Sequence, residues 1–461
     1  MLVLGDEPAQ PDQQAAYQQL HLRQLLLRPV AQACRNNNVP VVVNVAPARL
    51  IFVAVHRWAG LFIALFLFIA GATGAVISWD HELDEWLNPH LFDARSCSAS
   101  APLAPLELAR RVEASEPRLR IGYMPLFIEP GHTLTVSVDA RVDAATRLPF
   151  DLGFNQVALD PATGAVQGRR EWGAISLSRE NLLPFLYKLH YSLHIPDVRD
   201  VRLGMWVMGI VSVVWILDCF IALWISFPNI RNWRKSFAFR TCQGWPKLNF
   251  DLHRSGGVWV WLLLLMLAIT SVSMNLGREV MKPVVSLFSP VASTPFETRK
   301  PTAINARIEP TLTREQAIAL AQAEAHKRGW TAPPGAVFYA DRFGLYGVAF
   351  FTPEQEHADG GLGNPWLYIE GRTGELVGDD VPGTGSAGDL FMQAQFPLHS
   401  GRILGLPGRI LISFMGVMVA MLSVTGVVIW ARKRRSRAMA ENRLRSTRNR
   451  EETPMPLKGH R

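Results

Sequence analysis

The sequence predicts an α-helical integral membrane protein whose four transmembrane helices form two copies of one helix–domain–helix unit. Three observations support this prediction. Four long apolar runs interrupt a chain of 461 residues, and basic residues cluster beside two of them. The two long polar segments between these runs resemble each other. The mean hydropathy is +0.11 in spite of those polar segments, so the apolar residues are strongly concentrated in the runs.

Each apolar run is long enough to cross a bilayer. A hydrocarbon core of about 30 Å needs about 20 helical residues at a rise of 1.5 Å per residue. Asp218 is the one acid deep inside a run. An acid within a membrane is costly and usually functional, so we expect it to take part in proton uptake or in a buried hydrogen bond. The predicted helices are residues 50–79, 204–227, 257–276 and 408–430.

The short connecting segments predict the orientation of the chain. Lys and Arg accumulate in short loops on the cytoplasmic side of a membrane. Six of them lie between Arg231 and Arg254, and eleven follow Trp430. Both chain ends are therefore expected in the cytoplasm, and in a bacterial cell the protein is expected in the inner membrane. The amino-terminal stretch has no signal-peptide pattern. The predicted cytoplasmic segments are the extension 1–48, the basic loop 228–256 and the basic tail 431–461.

Composition and missing motifs exclude several classes of function. The net charge of +8 lies mostly beside the apolar runs, and no aromatic-rich basic groove suggests nucleic-acid binding. The four cysteines have no C-x-x-C spacing, which argues against an iron–sulfur cluster. Only Cys97 is predicted to lie outside, so no disulfide is expected. No G-x-G-x-x-G fingerprint follows a strand, and neither a nucleophile elbow nor a His-Glu-x-x-His motif occurs.

The two long outer segments, 80–203 and 277–407, are predicted to be two small α+β domains. In each, apolar residues at helical spacing give way to strands with period-two alternation. Each segment then reaches a hairpin whose turn contains Thr-Gly, at Thr163-Gly164 and at Thr373-Gly374. A glycine after a polar residue suits a turn that needs a positive φ.

The helix ends repeat as well. The first and third runs open with His-Arg, at His56-Arg57 and at His253-Arg254. The second and fourth are entered through Leu-His, at Leu189-His190 and at Leu398-His399. Internal repeats in membrane proteins commonly place a functional site where the two halves meet. Thr-Gly pairs also occur near the far ends of the first and fourth runs, at Thr73-Gly74 and Thr425-Gly426.

These motifs resemble the PepSY-associated transmembrane helix family, whose members show His-Arg-x-x-Gly, an acidic Glu-Leu-Asp-x-Trp-Leu-Asn-Pro segment and Leu-His in this order. The acidic segment here is Glu82 to Pro89. The resemblance covers residues 50–436 and implies PepSY-like periplasmic domains. It also implies an inner-membrane reductase for siderophore-bound iron, with haem b between the helices. The sequence departs from the pattern at Asp218-Cys219 and at Thr270-Ser271, where Thr-Gly is expected.

The histidines are the candidate haem ligands, because a six-coordinate haem b needs two imidazoles. His56 and His253 occupy equivalent places at the cytoplasmic face. At the outer face His399 is expected to pair with His190 or with His194. Two haem groups, one near each face, would divide the membrane into steps short enough for electron tunnelling. The alternative is that these histidines merely contact lipid headgroups.

Other charged residues have subsidiary roles in this hypothesis. Arg57 and Arg254 directly follow two of the candidate ligands, and they are expected to neutralise haem propionates. His81 and His90 follow the first run and are additional candidate ligands. The sequence does not identify any catalytic residue. The histidines expected to be ordinary surface residues are His132, His326 and His357.

The predicted function is therefore transmembrane electron transfer by an oxidoreductase with two haem b groups. The substrate implied is a periplasmic ferric siderophore, which releases iron on reduction because its hard oxygen ligands hold Fe(III) far better than Fe(II). Since the chain has no nicotinamide or flavin fingerprint, quinol or a cytosolic reductase must supply the electrons. One alternative is a membrane-anchored binding or regulatory protein of the PepSY type without redox activity. A transporter is disfavoured because it would have few helices and one buried acid.

Overall fold

The computed structural model describes residues 47–95, 101–198 and 201–451. Residues from Val53 onward form one compact unit, and the residues up to Phe52 form a separate unit of which only the start of the first helix is described. The predicted extension 1–48 therefore lies almost wholly outside the described residues, and so does Cys97. The account below concerns the larger unit.

Four helices in the described part of the chain are long and apolar enough to cross a membrane, which confirms the predicted fold class. We call them the first to fourth spans. The ends of the spans that lead into the sheet form the sheet face of the bundle. The opposite ends form the loop face, where the 227–244 segment connects the second span to the next helix. The spans are Ala48–Ile77, Leu203–Ser226, Trp261–Ser286 and Leu406–Ser446.

The boundaries that differ most from the prediction are both ends of the third span, predicted as 257–276 and found as Trp261–Ser286, and the end of the fourth helix. The predicted third span begins at residue 257, but the backbone leaves helical geometry at Val260, with φ −104° and ψ 12°. His253 consequently lies on the separate helix Trp245–Trp259 that precedes the span. The fourth helix continues to Glu451, well beyond the predicted end at residue 430, because the basic stretch after Trp430 contains neither glycine nor proline before that point.

Shorter helices and turns lie between the spans and the sheet, beside the sheet, and in the segment that joins the second span to the third. The α-helices are Asp80–Leu87, Pro89–Phe92, Pro105–Ser115, Leu182–Ser192, Trp245–Trp259, Lys282–Ser286, Pro295–Thr298, Arg314–Lys327 and Ala387–Ser400. The 3-10 turns are Ile230–Ser236, Thr241–Gln243, Pro353–Gln355 and Arg402–Leu404, and a π turn covers Gly277–Met281. Lys282–Ser286 and the π turn belong to the third span.

The two predicted domains share one continuous antiparallel sheet of eight strands in the order β4-β3-β2-β1-β5-β6-β7-β8. The halves meet where β1 pairs with β5, with Tyr123 opposite Phe338 and Met124 opposite Val337. The order on either side of this seam is the same, as expected for a duplicated unit. The strands are β1 Leu119–Pro125, β2 Leu134–Ala140, β3 Gln156–Leu159, β4 Val166–Arg170, β5 Pro334–Ala340, β6 Leu345–Phe350, β7 Trp366–Glu370 and β8 Leu376–Asp380.

The equivalent helices of the two halves, Pro105–Ser115 and Arg314–Lys327, pack on the sheet and share one hydrophobic core with it. Apolar residues at helical spacing are buried on both helices, as the sequence predicts. Arg314 also connects the halves directly, because its guanidinium lies 2.6 Å from the Glu113 carboxylate and donates to the Ile121 carbonyl at 3.0 Å.

Both predicted hairpin turns have the expected backbone. Gly164 has φ +76° and Gly374 has φ +78°, a conformation that residues with a Cβ adopt only at a cost. In each turn the glycine amide donates to the residue four positions earlier, Asp160 or Glu370. The prediction of positive φ at these two glycines is confirmed.

The acidic segment after the first span is tied to the sheet by a buried ion pair. Asp84 lies on helix Asp80–Leu87 and accepts hydrogen bonds from Arg170 on β4 at 2.6 and 2.9 Å. Asn88 donates a further bond to the same carboxylate at 2.8 Å. Because all three residues are buried, this group fixes the exit of the first span against the first half of the sheet.

The spans pack as two neighbouring pairs. The first and fourth spans touch backbone to backbone, since a Cβ added to Gly71 would lie 2.6 Å from the Gly416 carbonyl oxygen. Small residues are the usual means of such close approach between membrane helices. The second and third spans pack along their length, with Gly209 against Leu276. This arrangement places residues of all four spans around the site described next.

Candidate functional site

Four histidines form two facing pairs, one near each face of the span bundle. The ring centroids of His56 and His253 are 6.1 Å apart near the loop face, with an interplanar angle of 46°. The ring centroids of His190 and His399 are also 6.1 Å apart, near the sheet face, at 60°. Each pair takes one histidine from each half of the repeat, so both pairs lie where the halves meet.

His190 occupies the last turn of helix Leu182–Ser192, and a hydrogen-bond network on the first span orients its ring. Its Nδ1 lies 2.9 Å from the Ala70 carbonyl and 3.1 Å from the Thr73 hydroxyl. The carbonyl only accepts, and the hydroxyl already donates to Ile69 at 2.7 Å. The ring proton must therefore sit on Nδ1, which leaves a lone pair on Nε2.

His253 has the same arrangement in the other half. Its Nδ1 lies 3.0 Å from the Leu422 carbonyl and 3.2 Å from the Thr425 hydroxyl on the fourth span. That hydroxyl donates to Met421 at 2.8 Å. The Nδ1 proton is again fixed by acceptors, and Nε2 again keeps its lone pair.

His399 lies in the last turn of helix Ala387–Ser400, and its Nδ1 is 2.9 Å from the Thr270 hydroxyl on the third span. Thr270 donates to the carbonyls of Met266 and Leu267, both at 3.0 Å, so it accepts the Nδ1 proton. Thr270 thus orients the His399 ring by accepting its Nδ1 proton, as Thr73 orients the ring of His190. The departure from Thr-Gly at Thr270-Ser271 leaves this contact intact.

His56 differs from the other three in its partner. Its Nδ1 lies 2.9 and 3.0 Å from the two carboxylate oxygens of Asp218 on the second span. A carboxylate accepts, so Nδ1 carries a proton, and in its neutral form His56 too presents a lone pair at Nε2. Every span consequently supplies the Nδ1 partner of one paired histidine. Within the described residues the hydrogen bonds of these four rings are all made by Nδ1, and none is made by Nε2.

Two glycines provide space for the rings. A Cβ on Gly74 would lie 2.9 Å from Cε1 of His190, and a Cβ on Gly426 would lie 2.9 Å from Cε1 of His253. Both distances are shorter than ordinary contact, so only glycine lets these rings approach the helix. The Thr-Gly pairs of the first and fourth spans therefore have a physical role: threonine orients the imidazole and glycine makes room for it.

Burial keeps the paired imidazoles of the sheet face neutral. His190 and His399 lie on helices outside the four spans, and burial lowers the pKa of His190 to about 4 and that of His399 to about 3. Desolvation disfavours the charged imidazolium, and the two rings would also repel each other if both were protonated. A neutral imidazole is the form that binds a metal.

The centroid separation within each pair would let its two imidazoles hold one metal ion between them. A metal–imidazole bond of about 2.0 Å on each side, plus the distance from each nitrogen to its ring centre, gives a centroid separation of roughly 6 Å. Both pairs have that separation. Among the described residues no three His, Cys, Asp or Glu side chains are grouped to hold a bare metal ion. Two nitrogens per site suit an iron that brings its remaining ligands with it, as haem does.

The predicted propionate partners lie beside the loop-face pair. Arg57 stacks on Trp58 at 5.4 Å, and Arg254 lies 5.3 Å from the Phe250 ring. In both residues Nε is buried and has no hydrogen-bond partner within the described part of the chain. Such donors are costly to leave unpaired, so an anionic group at this position would satisfy them. Among the described arginines only these two have a buried Nε without a partner, and both directly follow a histidine of the loop-face pair.

Of the two outer candidates, the structure brings His190 and not His194 opposite His399. His194 lies just beyond the helix end, with φ +55°, and its Nε2 bonds to the Phe185 carbonyl at 2.9 Å. Its ring stacks on Phe185 with centroids 4.6 Å apart. The engaged Nε2 is not available to iron, and the unpartnered Nδ1 belongs to a ring that pairs with no second histidine among the described residues.

The additional candidates His81 and His90 lie in neither pair. His81 is 3.2 Å from Glu85 and packs against His357, with ring centroids 4.9 Å apart. His90 is 2.8 Å from Glu180. His357, which the sequence assigns to the ordinary surface, is exposed but contacts His81.

The hydrogen-bond partners of the rings were not assigned from the sequence. The signal for them was nonetheless present, because a Thr or Asp followed by a small residue recurs in all four spans at Thr73, Asp218, Thr270 and Thr425. The small residues of these pairs are expected from the sequence to allow close packing. The hydrogen bonds from the histidine rings to the hydroxyls and to the carboxylate are not expected from it.

Four membrane-crossing helices below a duplicated α+β sheet, with paired histidines between the halves, define the class of this protein as a repeat-built multi-pass membrane protein. A family model described as the PepSY-associated TM region matches residues 53–433. The chain therefore belongs to the PepSY-associated transmembrane family. A search of curated proteins finds no match to the chain.

Proposed function

We propose that this chain is a haem b electron-transfer protein of the bacterial inner membrane that reduces a periplasmic ferric siderophore. The observation that supports the proposal most directly is the presence of two histidine pairs, both 6.1 Å apart, one near each face of the bundle. Within the described residues all four rings engage Nδ1 and none shows a hydrogen bond at Nε2. Histidines that merely contacted headgroups would have no reason to meet in two pairs where the halves of the repeat join.

In this proposal the chain holds one haem b at each pair. Haem b bound to two imidazoles supplies one-electron transfer without an open iron position. His56 and His253 would hold the haem near the loop face, and His190 and His399 would hold the one near the sheet face. The Thr73, Thr270, Thr425 and Asp218 side chains orient the rings, and Arg57 and Arg254 compensate carboxylates at the loop face.

The spacing of the pairs suits a route across the membrane. His56 and Ala70, which contacts His190, both lie on the first span and are separated by fourteen residues. At 1.5 Å per residue this corresponds to about 21 Å along the helix. The pairs therefore divide the membrane into shorter steps. The basic segments at the loop face support an orientation in which that face is cytoplasmic, both chain ends are inside and the sheet is in the periplasm.

The overall reaction balances with donors and acceptors of known chemical class. A quinol gives up two electrons and two protons, and each electron reduces one siderophore-bound Fe(III) to Fe(II). A cytosolic reductase is the other donor that fits, because the chain has no nicotinamide or flavin fingerprint. Fe(II) is then released because hard oxygen ligands prefer Fe(III).

The test begins with the visible absorption spectrum of the purified protein after haem-replete expression. We expect a reduced α-band typical of b haem, diminished in His56→Ala and in His399→Ala. His326→Ala is the matched control, because that histidine is exposed on helix Arg314–Lys327. A colourless wild-type protein contradicts the proposal and favours a binding or regulatory role for the domains.

The substrate is tested by mixing chemically reduced protein with a ferric siderophore in a stopped-flow instrument. Rapid reoxidation, with Fe(II) trapped by a ferrous chelator, is expected. The Ga(III) complex of the same siderophore has the same shape and charge but accepts no electron under these conditions, so it should leave the protein reduced. Equal reoxidation by unrelated acceptors, with no Fe(II) released, would contradict the assignment of the substrate class.

A further inference from the structure

We propose that Asp218 is a positioning residue that gives the loop-face pair a lower reduction potential than the sheet-face pair, so that electrons move outward. This inference rests on the proposed function. It follows from one difference among four otherwise equivalent sites. Three of the paired histidines donate Nδ1–H to a neutral threonine hydroxyl, and His56 alone donates to a carboxylate.

The repeat makes the comparison a direct one. His56 and His253 are equivalent positions of the two halves, and their partners Asp218 and Thr425 lie at equivalent positions of the second and fourth spans. Both partners are buried, with 7% and 5% of their surface exposed. Within one pair, therefore, the structure contains both a charged and a neutral version of the same hydrogen bond.

Both oxygens of the Asp218 carboxylate accept from His56. Both of its oxygens lie within 3.0 Å of Nδ1, and no Lys or Arg side chain forms an ion pair with it among the described residues. An uncompensated acid in a membrane span is costly. If the only role of this position were to stabilise the bundle, threonine would suit it better. Threonine makes a comparable hydrogen bond in the other three spans without the cost of a buried charge.

The chemical consequence concerns the basicity of the ligand. A carboxylate that accepts the Nδ1 proton of a metal-bound imidazole makes the imidazole more electron-rich, and this is a recognised means of tuning a metal site. An electron-rich ligand with a nearby negative charge stabilises Fe(III) relative to Fe(II). Hydrogen bonding of this kind is one of the means by which proteins adjust haem potentials. His56 is thus the strongest donor of the four ligands, and the loop-face site has the lower potential.

The direction of the bias agrees with the proposed function. Electrons enter at the loop face from a quinol or a reductase and leave at the sheet face toward the ferric substrate. A lower potential at the entry site and a higher one at the exit site make the step between them favourable. At the exit site, Thr73 and Thr270 are neutral partners of His190 and His399, so they do not lower the reduction potential there.

The experiment is a spectroscopic redox titration of the full-length protein in wild-type form and with Asp218→Asn. The asparagine keeps the shape and an acceptor oxygen and removes the charge. We expect wild-type protein to titrate in two steps and the variant to raise only the lower midpoint, by about 59 mV for each tenfold change in the reduction equilibrium. The matched control is Thr425→Val, which removes a neutral partner from the other ligand of the same pair and is expected to shift that midpoint much less.

Two further variants keep the test decisive. Asp218→Thr converts the site to the type found at the other three histidines, so it should retain the haem and bring the two midpoints together. Thr425→Asp should lower the loop-face midpoint further. Unchanged midpoints in Asp218→Asn and Asp218→Thr overturn the inference, and so does loss of one haem in both. Wild-type protein without haem overturns the proposed function itself, whereas two haem groups with unshifted midpoints overturn the tuning role alone.

Discussion

The two glycines beside the histidine rings allow a sharp test of how the sites are built. Replacing Gly426 by alanine places a methyl group 2.9 Å from Cε1 of His253, and replacing Gly74 does the same at His190. We expect each substitution to remove one haem and leave the other in place. Each variant therefore affects one pair, and the second pair in the same molecule serves as an internal reference.

The magnitude follows from the contact distances. Ordinary contact begins at 3.4 Å, so the His253 ring must move by about 0.5 Å. Its Nδ1 bond to Leu422, now 3.0 Å, then stretches to the limit of a hydrogen bond. Losing that bond costs about 0.5–1.5 kcal/mol, and overpacking costs about 1–3 kcal/mol. Together these correspond to haem binding weakened by about 10-fold to about 2,000-fold.

The assay is the ratio of haem to protein, measured by absorbance after purification and again after incubation with a haem-scavenging apoprotein. Gly277→Ala is the control, because an added Cβ there has no heavy atom within 4 Å. Full haem content in both Gly74→Ala and Gly426→Ala, with unchanged resistance to the scavenger, would refute the claim that these glycines hold space for ligands. A loss in Gly277→Ala of equal size would show that the effect is a general one of the helix.

Three further outcomes are expected. Asp84→Ala leaves the Arg170 guanidinium buried without its carboxylate, so the free energy of unfolding measured by chemical denaturation in detergent should fall by about 3–5 kcal/mol; a change below about 1 kcal/mol, the range of exposed pairs, would contradict the burial argument. His194→Ala should retain both haem groups in a pyridine haemochrome assay, because its Nε2 already bonds to a backbone carbonyl; loss of one haem would make it a ligand. Burial alone would raise the pKa of Glu113, but the hydrogen bond and charge of Arg314 outweigh burial and hold this pKa below 4.5. The lowered pKa contributes stability that is fully present above the unfolded pKa and is lost as pH falls through the folded pKa. Thermal stability should therefore drop below pH 4.5 in wild type, and it should drop less in Glu113→Gln.

The helical part of the fold was predictable because its signals are local. Runs of about 20 apolar residues have few alternatives to a membrane helix, and the four predicted spans are confirmed. The ends were less predictable. The third span is separated from helix Trp245–Trp259 by a break at Val260, which follows Gly256-Gly257 by less than one helical turn. The break depends on how the two helices pack, which a hydropathy pattern does not contain.

The joining of the two domains into one sheet was not predictable from the strands themselves. β1 and β5 belong to segments more than 200 residues apart, and their pairing depends on where the spans hold the two halves. The alternation of apolar and polar residues predicts a half-buried strand, and it is the same whichever strand lies beside it. The repeat in the sequence indicates two similar domains. It does not indicate whether the edge strands of the two sheets pair with each other.

The pairing of the histidines was partly predictable. The repeat places His56 with His253, and the structure brings these rings together. The choice between His190 and His194 needed coordinates, because helix Leu182–Ser192 ends between them and turns the second ring onto Phe185. Asp218 was identified as unusual from its depth alone, whereas its contact with His56 depends on the packing of the first span against the second. Haem ligation by the pairs stays a prediction.

The measurement that tests the central claim most directly is the number of haem groups per chain in the wild-type protein and in variants that break one pair or both. The account predicts two in wild type, one in His253→Ala and one in His399→Ala, with different absorption or potential for the haem that each retains. The double variant should hold none. Wild-type protein that binds no haem, or single variants that still bind two, would contradict the account.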